Sequence, residues 1–174
     1  MLNTQNRHIE KVLTPQSAPI VNFLNQELRS DCGFSVKEEF PSLFTGFPGG
    51  ESLVITENEQ IIAHLSDLVR EFQCTDYRMK IGMIGSVVTQ KEFRGQGIAS
   101  RLLKKAFEEL HLKGSVITLL WSENASFYFP LGLYRAGREK ALKFSAENVP
   151  DLTVPVRAAT PQDASQIWRL YQKN

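Results

Sequence analysis

The chain has 174 residues, 42% of them hydrophobic, and a formal net charge of +1. That length buries a substantial core and favours one domain with little left over, while the near-balanced charge offers no basic field for nucleic acid or an anionic membrane surface. Cys32 and Cys74 are too few for a disulfide framework and too far apart for a zinc site, and nothing in the chain resembles a signal peptide or a membrane span, so a soluble, cytoplasmic, metal-free protein is expected.

Ile9 opens a short strand. Thr14-Pro15 reads as the N-cap and first position of a helix, continued to Arg29 by Ile20, Phe23, Leu24 and Leu28 at helical spacing. Residues 30–50 carry Phe34, Phe40, Phe44 and Phe47 among glycines and prolines. They read as an aromatic loop region with a short helix, which either lids the core or walls an acceptor pocket.

Ser52–Thr56, the turn Glu57–Gln60 and Ile61–Gln73 predict an antiparallel hairpin, and Lys80–Thr89 a further strand. Arg101–Lys113 is the clearest helix, with Ile98, Leu102, Ala106 and Leu110 on one face and Gly114 as its stop. The apolar-rich run Val116–Trp121 reads as a buried parallel strand. Asn124–Leu131 is a short helix ended by Gly132, and Lys140–Ser145 a last strand. This order predicts an α/β fold, a mixed sheet with helices on its faces.

One segment recurs. Thr14-Pro15-Gln16-Ser17-Ala18 reappears as Thr160-Pro161-Gln162-Asp163-Ala164, and Ile167, Leu170 and Tyr171 follow the second copy at helical spacing. Thr160 with Asp163 fits a capping box. Residues 1–150 are therefore expected to form one domain, and 151–174 to begin an incomplete similar domain or a strand–helix extension.

The chemistry concentrates in Gly85–Ser100. A strand runs into Arg94-Gly95-Gln96-Gly97-Ile98-Ala99-Ser100, and a helix starts at once. Glycines let the backbone approach a ligand, and unpaired N–H groups at the helix start favour a pyrophosphate. Ser100 stands where a dinucleotide fingerprint needs its third glycine, and Ile98 follows Gly97 where a P-loop needs lysine. A ligand-free glycine turn remains the alternative.

A second motif follows one helix and one strand later, Asn124-Ala125-Ser126-Phe127-Tyr128, closed by Gly132-Leu133. Together the two stretches resemble the GNAT superfamily of N-acetyltransferases over Ile9 to about Ser145. Arg94, Gly97 and Ala99 match the cofactor motif, and Asn124, Ala125, Phe127-Tyr128 and Gly132 the second. Leu133 stands where the family usually has Phe, and Pro130 interrupts the short helix. The run Phe40-Pro41-Ser42-Leu43-Phe44, the strand Gly85–Thr89 and the repeat look most like tandem members of the enhanced-intracellular-survival type.

The resemblance implies a mostly antiparallel central sheet with a splayed parallel pair and helices on both faces. It implies acetyl-coenzyme A as co-substrate and an amine-bearing small molecule or peptide as acceptor, attacked directly in a ternary complex. Val87, Val88 and Thr89 would pair with the pantetheine arm and offer an amide to the thioester carbonyl. Main-chain groups of Arg94 to Ser100 would hold the pyrophosphate, and Asn124 would reach the cofactor. Tyr128 sits where the family often has its general acid, since a departing thiolate needs a proton. The strand Met79–Thr89 has no carboxylate, which leaves Glu38, Glu39, His64, Asp67, Glu71 and Asp76 as bases acting through water. Glu38 and Glu39 favour a cationic or amphipathic amine. A non-catalytic acyl-coenzyme A-binding module is the rival reading, and pairing of two copies as a homodimer is left open.

Overall fold

In the computed structural model, which describes residues 7–13, 17–44, 50–74, 77–138 and 157–171, the β-rich stretches join into one sheet. Its strands are β1 (Ile9–Val12), β2 (Gly50–Glu57), β3 (Gln60–Cys74), β4 (Tyr77–Thr89) and β5 (Ile117–Leu120), and their spatial order is their chain order. β1 to β4 pair antiparallel, and β5 lies parallel to β4. The last pair is parallel because helix α4 (Ile98–Leu112) carries the chain back between them.

The β2–β3 turn is tighter than Glu57–Gln60. Asn58 and Glu59 take φ of +49° and +65°, the left-handed pair that a two-residue hairpin turn requires, so β3 already starts at Gln60. Helix α1 (Ala18–Leu28) starts later than the Thr14-Pro15 signal: Ser17 is its N-cap and Pro19 sits in its first turn. Thr14 to Gln16 lie outside the described residues. Between α1 and β2 the aromatic stretch forms two one-turn helices, α2 (Val36–Glu39) and α3 (Pro41–Phe44). Phe44 is fully buried while Phe34 and Phe40 are exposed, and Phe47 lies outside the described residues.

Alternation along β2 divides the core between the two sheet faces. Val54 packs with Ile20, Val21, Leu24, Val36 and Phe44 under α1, and Val88 of β4 joins them. Leu53 and Ile55 pack with Leu65, Ile84 and the α4 residues Ile98, Leu102, Leu103, Ala106 and Leu110. Each fully buried leucine of α4 stabilises the fold by about 2 kcal/mol relative to exposure. The helix sits so close at Gly82 that a Cβ there would lie 2.9 Å from Leu110 Cδ1 and Ser115 Oγ.

β5 is parallel, as its apolar sequence predicts, but it is not buried. Ile117 is 50% exposed and the other three residues of β5 are only half-buried, because among the described strands none covers its outer edge. The strand expected at Lys140–Ser145 lies outside the described residues. Helix α5 (Ala125–Tyr128) tightens into a 3-10 turn at Phe129–Leu131, where Pro130 cannot supply a helical N–H, and Gly132 ends it at φ +86°.

The chain divides into two compact units, residues 1–135 and 136–174. In the second, the Asp163 carboxylate accepts from the Thr160 backbone N–H at 2.8 Å, and α6 (Ala164–Tyr171) follows. No helix among the described residues is long and apolar enough to cross a membrane.

Candidate active site

β4 and β5 lie side by side only where Ile81–Ile84 face Ile117–Leu120. Beyond that point β4 continues along β3 to Thr89, while the chain after Leu120 turns into Trp121, Ser122 and α5. The parted strands leave a cleft of about 310 Å³. Ile84, Gly85, Ser86 and Val87 line one side, Leu120, Trp121, Ser122 and Tyr128 the other, and Leu28, Arg29 and Phe40 a third.

The β3–β4 ladder slips at this place. Ser66 faces Gly85 and His64 faces Val88, so Ser86 and Val87 have no register partner on β3. Ser86 takes φ +49°. This is a bulge, which frees main-chain groups of β4 beside the cleft. Val88 and Thr89 are buried, so of the three strand residues named from sequence only Val87 lines the cleft.

After β4 the chain makes a 3-10 turn at Lys91–Phe93 and reaches Gly95 and Gly97 at φ +74° and +72°. Apart from the adjoining residues, no described atom lies within 4 Å of where a Cβ would stand at either. Backbone conformation, not crowding, therefore calls for glycine. Gly97 is the N-cap of the 15-residue helix α4 and supplies no side-chain cap. The first-turn amides and the positive end of the dipole are left for a ligand. Arg94, Gly95, Gln96 and Gly97 are exposed, Ala99 and Ser100 are half-buried, and Ile98 is in the core.

The Arg94 side chain braces the loop: its Nε donates to the Thr89 carbonyl at 2.9 Å, and Nη2 lies 3.9 Å from Glu27. Arg7 supports the loop from the other end of the sequence. Its Nη1 donates to Gln96 Oε1 at 2.8 Å, its Nε to Glu57 at 2.7 Å, and its guanidinium stands 5.2 Å from the Phe93 ring centroid. These contacts, up to 89 positions apart, leave no local signal in the sequence.

Tyr128 is half-buried at the cleft and packs edge-on against Phe127, with ring centroids 4.9 Å apart. Burial pushes its phenol pKa up, partly offset by a hydrogen bond with Ser122, so the hydroxyl keeps its proton at neutral pH. Asn124 is exposed at the start of α5, where its Oδ1 accepts from Ser126 Oγ at 2.9 Å.

The carboxylates considered as bases that lie among the described residues are engaged elsewhere. Glu38 accepts from the Ser35 N–H at 2.6 Å in a capping box, and Glu39 pairs with Arg29. Asp67 is buried against Lys113, Glu71 is exposed beside Arg78, and Asp76 lies outside the described residues. His64 is fully buried with both ring nitrogens hydrogen-bonded, and burial lowers its pKa to about 4. It cannot meet an acceptor. Glu38 and Glu39, which from sequence favour a cationic or amphipathic amine, serve a cap and an ion pair and are not among the described residues lining the cleft. Among the described residues lining the cleft, Arg29 is the charged one.

A parted parallel pair beside a glycine loop that opens a helix defines an acyltransferase architecture. Residues 33–136, more than half of the chain, match the family described as acetyltransferase (GNAT) domain, and the chain belongs to that family. Its fold is similar to that of glucosamine-6-phosphate N-acetyltransferase from Arabidopsis thaliana, with a TM-score of 0.61 and 19% identity over 81% of this chain and 100% of that one. A predicted acetyltransferase from Clostridium acetobutylicum, solved with acetyl-CoA, superposes with a TM-score of 0.66 and 19% identity over 79% and 96%. A probable N-acyltransferase from Enterococcus faecalis gives 0.61 and 18% over 72% of this chain and 32% of that one. No curated protein matches the chain in sequence.

Proposed function

We propose that the chain transfers an acetyl group from acetyl-coenzyme A to an amine, by direct attack in the cleft between β4 and β5. The observation that carries this reading is the joint placement of parted strands and an uncapped α4 N-terminus at the C-terminal end of β4. The first-turn amides of α4 and the Gly95–Gly97 backbone suit a pyrophosphate, since the glycines leave open space there. The co-substrate supplies the acyl group as a thioester. Main-chain N–H groups at Ser86–Val87 would stabilise the negative charge that develops on its carbonyl oxygen. As the amine nitrogen bonds to that carbon, the carbon–sulfur bond breaks, and the Tyr128 hydroxyl gives its proton to the departing thiolate. Deprotonation of the incoming ammonium falls to water.

Phe40, Trp121, Leu28 and Leu120 give the cleft apolar walls, so the acceptor is an amine carried on an apolar or aromatic body. A second reading, an acyl-coenzyme A-binding module without turnover, is favoured by one observation: no carboxylate or histidine is among the described residues lining the cleft. Membership of a tandem protein draws support from the division at residue 135 and from the Thr160–Asp163 capping box that opens α6.

Calorimetric titration with acetyl-coenzyme A, followed by thiol release over a panel of amines, separates the readings. Binding with turnover on apolar amines is the expected result. Binding with no thiol release from any amine would favour the module, and no binding at all would remove both.

A further inference from the structure

Gly85 and Ser86 give their carbonyl oxygens to side chains of β3. Ser66 Oγ donates to Gly85 O at 3.1 Å, and His64 Nδ1 lies 2.9 Å from Ser86 O. A carbonyl only accepts, so Nδ1 carries the hydrogen. On the far side of the ring, Nε2 lies 2.9 Å from Ser52 Oγ of β2 and, in the neutral ring, accepts the serine proton. Ser52, His64 and Ser66 are all buried, at 1% exposure or less. A polar line thus crosses the sheet from β2 through β3 and ends on the bulge of β4, at a residue held with φ +49°.

The direction of these bonds matters. In a planar trans peptide the C=O and the following N–H point opposite ways. Fixing Gly85 O and Ser86 O on β3 turns the N–H groups of Ser86 and Val87 away from β3, toward the side on which β5 has parted and the cleft lies. A leucine at position 64 could not orient a peptide plane, because it has no donor for Ser86 O.

We propose that His64, with its ring fixed by Ser52, is a positioning residue for acyl transfer, holding the Ser86–Val87 peptide so that its N–H faces the thioester carbonyl in the cleft. The inference rests on the acetyl-transfer reading of that cleft. His64 touches neither substrate and acts only through the β4 backbone.

The test compares His64→Leu, His64→Asn and Ser52→Ala in the full chain. An asparagine amide can replace Nδ1 as donor to Ser86 O, whereas leucine cannot. His64→Leu is expected to lower kcat by about 10- to 100-fold, less than outright loss of an oxyanion donor because the amide is displaced rather than deleted. KM for acetyl-coenzyme A should stay within about threefold, since the α4 pyrophosphate site is untouched. His64→Asn should recover most of kcat, and Ser52→Ala should lose several-fold. A folded His64→Leu protein with unchanged kcat overturns the proposal, as do equal losses in the Leu and Asn variants. Where His64→Leu does not fold, an unchanged kcat in Ser52→Ala overturns it.

A second arm needs no turnover. In the cofactor-free protein, ¹⁵N spectra should show His64 as the Nδ1-protonated tautomer. The Ser86 and Val87 amide resonances should move in Ser52→Ala more than those of Tyr77–Ile81. An Nε2-protonated ring overturns the proposal. If wild type shows this tautomer yet releases no thiol with any amine, it is the functional reading that fails, and the brace on the β4 peptide stands.

Discussion

Lys113, at the C-cap of α4, places its ammonium 2.9 Å from Oδ1 of Asp67, whose side chain is completely buried on β3. The same ammonium lies 2.7 Å from Glu51 on β2, which in turn meets Lys11 on β1 at 2.8 Å. Burial alone would lower the Lys113 pKa, but its two carboxylate partners win and raise it. One end of α4 is thereby tied to three strands, while the other end presents the glycine loop. The position of the glycine loop depends on this distant ionic anchor as well as on the apolar face between them.

Lys113→Met leaves Asp67 buried without its partner. Removing one member of a buried pair costs about 3–5 kcal/mol. The Lys113 side chain keeps 28% exposure, so a loss of about 2–3 kcal/mol is expected in urea unfolding. The double variant Lys113→Met/Asp67→Leu should regain most of that loss, because no isolated charge remains. A double variant as unstable as the single would show that the pair is not the source.

Gly97→Ala tests the proposed pyrophosphate site. A Cβ at this position meets open space, so any stability loss comes from the left-handed φ and should be about 1 kcal/mol. The proposed main-chain contact requires close approach of backbone and phosphate. Calorimetry should show at least a tenfold rise in the dissociation constant for acetyl-coenzyme A, equivalent to about 1.4 kcal/mol. Unchanged affinity in a folded variant would place the pyrophosphate elsewhere.

The arrangement of these parts was unevenly legible in the sequence. The α4 helix and its glycine loop announced themselves because their signals are local: helical apolar spacing from Ile98 to Leu110, and glycines where φ proves positive. The hairpin of β2 and β3 was visible for the same reason. The Ser86 bulge was not, because it arises from a register slip against β3, and Ser is no marker for positive φ. His64 read as an isolated histidine in a strand. Its meaning comes from Ser52 and Ser86, 12 and 22 positions away. Glu38 and Glu39 read from sequence as a carboxylate pair suited to an amine, and their use by a capping box and by Arg29 depends on contacts that local spacing does not reveal.

His64 also makes stability depend on pH. Its pKa is 6.5 when free and about 4 in the folded protein, lowered by burial. Between those values the unfolded chain binds more protons, so this contribution is complete above pH 6.5 and is lost as pH falls through 4. The difference is worth roughly 3 kcal/mol. Asp67, whose pKa burial raises, titrates with the opposite sign, so wild type alone does not isolate the effect. The stability gap between wild type and His64→Asn should shrink as pH drops from 7 to 4. A gap constant over that range would show that His64 is not held neutral in the fold.

Tyr128 carries the last prediction. Its hydroxyl is held with Ser122 beside the cleft, and burial keeps its pKa above the ordinary tyrosine value of 10. A phenol that stays protonated can donate to a departing thiolate throughout the neutral range. Tyr128→Phe preserves the edge-on packing with Phe127 and removes only the donor and one hydrogen bond, worth about 1 kcal/mol of stability. Acetyl-coenzyme A affinity should therefore hold, while turnover falls by about 10²–10⁴-fold. The pH profile supplies an independent check. On the alkaline side, wild type should lose activity as the phenol ionises above pH 10, and that limb should vanish in the variant. Ser122→Ala keeps the phenol, and since the lost hydrogen bond had lowered its pKa, the limb should shift to higher pH with at most a few-fold change in rate. A purely packing role for Tyr128 predicts near-normal turnover in both variants. The deciding measurement is single-turnover acetyl transfer to a competent amine at saturating acetyl-coenzyme A, where a loss of only a few-fold in Tyr128→Phe would exclude the phenol as the proton donor.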